Sequence, residues 1–376
     1  MDKKTLTVVI CCYNSTKTIL NTLDSIEINT NKDVDVFLID DGSKDDLKGC
    51  VKKYLTDYPD RVHYFAKENG NWGSCINFAI SKANSRFLSV LDSDDEYNKK
   101  SFQSVLQILR STKPDTDMVF CNYEFHFLNE RSTKINPVLV SKTKQLIKYV
   151  PFEKLSLRHL ITIHSVIFSL DILKDINPLP SRVYYADNIL IYQVLLRAKN
   201  VAYLNKHIFL YKYFIRKGNQ SISIEKSLKN FHHHEIIYNH LLKIPFDKSS
   251  NKRLKVSRRC ITLELYWLMR ILTNDYSKKF EERCEMLRNY IDQYEECIEN
   301  NQVSKFKFHT PITRLMKRSP RFAMWMTRAV VSVVKSGFMN ATDYSPEGKK
   351  NAKAFAKAQR KFWRQERRAK RKAKQI

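Results

Sequence analysis

The sequence predicts an α/β fold, a Rossmann-like, mainly parallel sheet followed by a helical C-terminal region. Three observations carry this. Short apolar runs alternate with helical stretches of about 10–14 residues through the first hundred positions, the signature of βαβ units. Those runs are apolar nearly throughout, as strands are when helices cover both faces of a sheet. The residues just after them are polar and rich in carboxylates, and in such sheets ligands bind beyond the carboxyl ends of the strands.

The elements follow in order. Residues 6–12 (LTVVICC) form the first strand, and a helix follows over 16–28, after Asn14-Ser15. Strand 34–39, helix 45–57, strand 61–66, helix 73–83 and strand 86–91 complete the alternation. Residues 226–300 read as helices, with 261–272 (ITLELYWLMRIL) apolar on most sides and so buried in a bundle or an oligomer interface. Soft boundaries near 225 and 300 divide the chain into an α/β domain (1–225), a helical region (226–300) and a basic region (301–376).

Composition excludes several classes. The chain has 376 residues, 43% of them hydrophobic, which excludes overall disorder, and its 7 glycines exclude a collagen-like chain. No uninterrupted apolar run reaches the ~18 residues of a transmembrane helix, and the N-terminus reads as a strand, not a signal peptide. The eight cysteines show no CxxC and no zinc spacing, and several lie inside apolar runs, as expected in a reducing cytosol.

The formal charge of +27 is uneven: residues 301–376 hold 21 Lys+Arg against 3 acids, net +18. A catalytic body with a basic appendage fits this better than a nucleic-acid-binding protein, for which the acidic strand ends would be repulsive. Between Lys305 and Lys335 there are eight basic residues and no acid, around an apolar stretch at 322–334 that contains Trp325. That stretch suits a helix lying in an anionic membrane surface or packed on the body. The last segment, from Lys349, has 13 Lys+Arg and one acid and an amphipathic spacing; phospholipid, an anionic polymer and nucleic acid are not distinguished by it.

The strand ends carry the chemistry: Cys11-Cys12-Tyr13-Asn14, then Asp40-Asp41-Gly42-Ser43, then Lys67-Glu68-Asn69-Gly70, then Asp92-Ser93-Asp94-Asp95. Read singly, the acidic motifs are turns or helix caps. Together the Asp40-Asp41 and Asp92-Ser93-Asp94-Asp95 strand ends put five carboxylates on one rim, a hard-oxygen set suited to Mg²⁺ or Mn²⁺ shared with substrate phosphates.

These motifs, in this order and spacing, resemble family 2 glycosyltransferases with the GT-A fold, over roughly residues 5–225. The resemblance implies an inverting, hexosyltransferase-type enzyme that moves a sugar from a nucleoside-diphosphate sugar, UDP-sugar favoured, to a glycan or lipid-linked acceptor hydroxyl. By position it assigns Cys11, Tyr13, Asn14, Asp41, Asn77, Asp92 and Arg216 to the donor nucleotide, and Asp94 and Asp95 to the metal. The general base falls on Asp187, in Tyr184-Tyr185-Ala186-Asp187-Asn188, where a plain helix N-cap is the alternative.

The chain departs from the pattern at Ile76, where an Arg is common, and at Ala186, where Glu is usual; a catalytically degenerate transferase would show such changes. Trp72 suits either stacking on a ligand or anchoring in the core, and His164, in ITIHSVIFS, reads as a core histidine with no assigned role. Arg216 begins a basic loop ending Gln220-Ser221-Ile222-Ser223, which either closes over the diphosphate or is solvated. His232-His233-His234 reads as a surface feature. Nucleotidyl transfer would require a glycine-rich phosphate loop after the first strand, and CCYNS has none. With the basic region, the reading is a cytoplasmic enzyme, peripheral on the inner face of the membrane, making cell-surface polysaccharide or a teichoic-acid-like polymer.

Overall fold

A computed structural model describes residues 3–128, 133–155, 161–216, 224–247, 249–275, 277–299 and Ser319. The readings of the basic region and of the loop after Arg216 fall outside these residues. The α/β alternation is present: β1 (Lys4–Cys12), α1 (Ile19–Asp24), β2 (Val34–Asp40), α2 (Leu47–Cys50), α3 (Lys52–Asp57), β3 (Val62–Ala66), α4 (Asn71–Lys82) and β4 (Ser85–Val90). Two expected helices are shorter. The one expected over 16–28 ends before Glu27, whose φ of 50° is left-handed and cannot continue a helix. The one expected over 45–57 is split at Val51, after a first turn capped by the Asp46 carboxylate on the Gly49 amide.

The chain continues through β5 (Glu96–Tyr97), α5 (Lys99–Ser111), β6 (Met118–Phe120), β7 (Asn122–Leu128), β8 (Thr133–Val138), β9 (Ile147–Pro151), β10 (Val166–Ser169), α6 (Leu170–Lys174), α7 (Asp187–Arg197), β11 (Asn200–Leu204) and β12 (Phe209–Arg216). Helices α8 (Ile224–Lys229), α9 (Phe231–Lys243), α10 (Asn251–Asn274) and α11 (Phe280–Glu299) form the helical region.

An eight-stranded sheet runs β3-β2-β1-β4-β10-β6-β11-β9, parallel across its first four strands; β5-β12-β7-β8 form a smaller sheet. Alternate side chains of β1 and β2 enter two cores. Leu6, Val8, Ile10, Val36 and Leu38 pack with α1 and α5, while Val9, Phe37 and Ile39 pack with α4 and α7. Apolar side chains of α9, α10 and α11 join this second core, so the sheet and the helical region share one apolar interior. Ile261, Leu265, Leu268 and Leu272 of α10 are buried there. Strand order reverses at β1, since β2 and β3 lie on one side and β4 on the other. The carboxyl ends of β1 and β4 therefore open a crevice at the switch point.

Candidate active site

The turn after β2 is built around two adjacent carboxylates with different partners. Asp40 accepts from the Ser43 amide at 2.8 Å and from the Tyr64 hydroxyl. Burial raises its carboxyl, but these two donors outweigh burial and hold it below the ordinary range. Asp41, 5% exposed, accepts on Oδ1 from Lys67 Nζ at 2.6 Å and from the Gly70 amide at 2.9 Å, and Oδ2 takes part in neither bond. Gly42 has φ of 75°, and a Cβ there would stand 3.1 Å from the Asn69 amide, so glycine is required.

Asn14, itself left-handed with φ of 52°, ties the end of β1 to this turn: its Oδ1 accepts from the Lys44 amide at 2.8 Å. Tyr13 stands 50% exposed beside it. Cys11 is half-buried at the end of β1. A hydrogen bond with the Cys75 thiol, and then burial, push its own thiol well above the usual range.

The turn after β4 is fastened from α1 and from the smaller sheet. Thr18 and Thr22 donate to the Ser93 carbonyl at 2.8 and 3.1 Å. From β12, the buried Tyr211 hydroxyl donates to Asp95 Oδ2 at 2.9 Å and accepts from the Asp92 amide, while the Phe214 amide donates to Asp95 Oδ1 at 2.7 Å. Burial, and then the charges of Asp92 and Asp94, hold the Asp95 carboxyl well above the ordinary range. Asp92, Asp95 and His164 each bring a ligand atom to within 4.8 Å of the others. His164 Nε2 lies 3.6 Å from Asp92 Oδ2, and its ring is held edge-on by Tyr211 and Tyr213 at 4.7 and 4.6 Å. Two carboxylates and an imidazole suit a small divalent cation, and hydrogen-bonded carboxylate oxygens keep lone pairs for it. Asp94 is exposed and stands outside this group.

Asp187 opens α7 as its first helical residue; the cap position before it is Ala186. Its carboxyl is pushed up to about 6, by burial first, then pulled down by the His164 charge and raised by that of Asp92. The approach to it is stitched to α4. Asn77 donates from Nδ2 to the Leu179 carbonyl at 2.8 Å and accepts on Oδ1 from the Leu179 amide at 2.9 Å. The Arg182 amide donates to the Gly70 carbonyl at 2.7 Å. Gly73 packs so closely that a Cβ would meet the Pro180 carbonyl at 2.6 Å and the Ala186 Cβ at 3.2 Å. Ala186 is 1% exposed in this contact, which gives the departure from Glu a steric cause.

The structure thus brings Asp92, Asp95 and Asp187 to one rim with His164, and puts Asp41 on the neighbouring turn. Asn77, expected at the donor nucleotide, has its amide engaged by Leu179. Arg216 is the last residue of β12. Trp72 is half-buried against the second core, the anchoring alternative. His164 and Lys67 had no assigned role; the signal for each was its place at a strand end, His164 two residues before β10 and Lys67 directly after β3.

The glycosyl transferase family 2 model matches residues 7–175. An uncharacterized glycosyltransferase of Mycoplasma pneumoniae is 30% identical over 237 residues, covering 60% of this chain and 74% of the relative. One from Mycoplasma genitalium is 28% identical over 224 residues, covering 58% and 71%. Among solved structures, S. aureus TarS 1–349 in complex with UDP-GlcNAc superposes with a TM-score of 0.57 at 18% identity, covering 86% of this chain and 90% of that one. At that identity the likeness is one of fold, and the fold is GT-A. With these relatives and this strand-end site, the chain belongs to glycosyl transferase family 2.

Proposed function

We propose that the protein is an inverting glycosyltransferase that uses a UDP-sugar and transfers to a hydroxyl of a glycan or lipid-linked acceptor. The observation that carries it is the meeting of Asp92, Asp95 and His164 with the raised carboxyl of Asp187 on one rim. The TarS neighbours solved with UDP-GlcNAc and with UDP support the choice of nucleotide. In this reading Cys11, Tyr13 and Asn14 line the nucleoside pocket, and Asp41 accepts a base N–H on Oδ2. Asp92, Asp95 and His164 would hold Mg²⁺ or Mn²⁺, with exposed Asp94 on the same turn; imidazole favours Mn²⁺. When bound, the cation supplies charge neutralisation at the departing diphosphate. Arg216, at the end of β12, is assigned to the same phosphates. Asp187 takes the proton from the acceptor hydroxyl as it attacks the anomeric carbon opposite the leaving group.

The acceptor is a precursor of cell-surface polysaccharide or a teichoic-acid-like polymer, met at the inner face of the membrane by the basic region. The support for this is the charge of residues 301–376. No described helix is long and apolar enough to cross a membrane. Thermal unfolding of the full chain with UDP, GDP, CDP, TDP and ADP, with and without Mn²⁺, tests the donor. A midpoint raised by UDP only with Mn²⁺ is the expected result. No shift with any nucleotide would count against a working donor site.

A further inference from the structure

Each residue around Asp187 is held by a partner distant in sequence, and three of those partners lie on the helical region. The Tyr184 amide donates to His233 Nδ1 at 3.2 Å, and the two rings meet at 5.1 Å. Tyr185 has a left-handed φ of 65°, a conformation that is costly for a non-glycine residue and persists only where its surroundings impose it. Its ring stacks on His234 at 4.2 Å and 24°. His234 Nδ1 lies 2.5 Å from Glu264 Oε1, and Glu264 Oε2 accepts from Asn188 Nδ2 at 3.3 Å.

The His234–Glu264 pair is a weak contributor to stability. The residues are 3% and 1% exposed, and His234 Nε2 has no hydrogen-bond partner among the described residues. Burying a pair with an unmet nitrogen is often no better than burying apolar side chains of the same volume. What it does is local. It fixes the residue two before Asp187 by stacking and the residue after it by a hydrogen bond. Burial, and then the charges of His232 and His234, lower the basicity of His233, which keeps Nδ1 able to accept.

We infer that His233 and the buried His234–Glu264 pair are positioning residues for Asp187, so that the helical region sets the geometry of the carboxylate that takes the acceptor proton. This rests on Asp187 being that base. Displacing a catalytic group by about an ångström lowers turnover by up to about a hundredfold, although donor binding is unaffected.

The test uses the full chain with Mn²⁺ and UDP-glucose, UDP-galactose or UDP-GlcNAc, reading UDP release together with amide hydrogen exchange. The variants are His233→Ala, His233→Asn, the double variant His234→Leu with Glu264→Met, and Asp187→Asn. His233→Asn keeps an acceptor near the Nδ1 position, and the double variant removes both buried polar partners together. The expected result is faster exchange confined to residues 183–189 in His233→Ala and the double variant. Turnover falls about tenfold in both at unchanged donor KM, and His233→Asn restores it. Unchanged exchange at 183–189 in both would overturn the inference, as would an equal loss in His233→Ala and His233→Asn. If no UDP-sugar is turned over, the exchange pattern decides alone. Full turnover in Asp187→Asn refutes the base instead, a result separate from either histidine outcome.

Discussion

The two sides of the crevice are built differently. The side proposed for the donor, Asp41 and the Asp92–Asp95 turn, consists of strand ends, and parallel βαβ topology delivers strand ends to one rim. The side proposed for the acceptor, residues 179–188, takes its shape from contacts between residues far apart in the chain. Asn77 reaches Leu179 across 102 positions, His233 reaches Tyr184 across 49, and Glu264 reaches Asn188 across 76. The family match ends at residue 175, before this segment begins. Strand topology delivers the first side to the rim, where Tyr211 and Phe214 of β12 then fasten Asp95 across 116 and 119 positions. The second side has no strand end to deliver it and is placed by long-range contacts, so the two should fail separately when mutated.

The largest effect expected is from Asp187→Asn. Steady-state transfer should show kcat lowered about 10³-fold, the usual range for losing a general base, with donor KM unchanged. A rise in donor KM of similar size would join the two sides and break the contrast. Next is Ala186→Glu, which restores the residue usual in the family. Because Ala186 lies against Gly73, the added carboxylate should lower stability by about 2–3 kcal/mol in urea titration and gain no activity. A stable, faster variant would show that the contact with α4 is not confining.

Asn77→Ala is smaller and sharper. Its amide holds Leu179, so kcat should fall about tenfold with nucleotide affinity kept, read by calorimetric titration with UDP and Mn²⁺. Lost UDP affinity would instead make Asn77 a donor residue. The smallest effect is that of pH. The Asp187 carboxyl is raised to about 6 and must be ionised to act, so kcat should rise with pH, be halved near 6 and level off above. The linkage sign is opposite for folding. A group that binds its proton more tightly in the folded state contributes stability that is lost as pH rises through its folded value, so Asp187→Asn should be the more stable protein above pH 6.

What could be read beforehand follows the same division. The strand-end placement of Asp41, Asp92 and Asp95 was legible because motif and strand end coincide. His164 was not: an isolated histidine in an apolar run has the pattern of a core residue, and only the pairing of β10 with β4 brings it to Asp92. Asn77 was assigned from a motif, yet the structure engages both atoms of its amide with Leu179. His233 and His234 looked like part of a polar surface helix. His234 is buried because α9 packs on α7 and α10, an arrangement with no local signature.

The separation of the two sides is tested most directly by UDP-dependent thermal stabilisation, with Mn²⁺, of the wild type, Asp187→Asn and Asp41→Ala. The expected result is an equal rise in unfolding temperature for the wild type and Asp187→Asn, and none for Asp41→Ala. Loss of the rise in Asp187→Asn, or its survival in Asp41→Ala, would contradict a donor side that stands on its own strand ends.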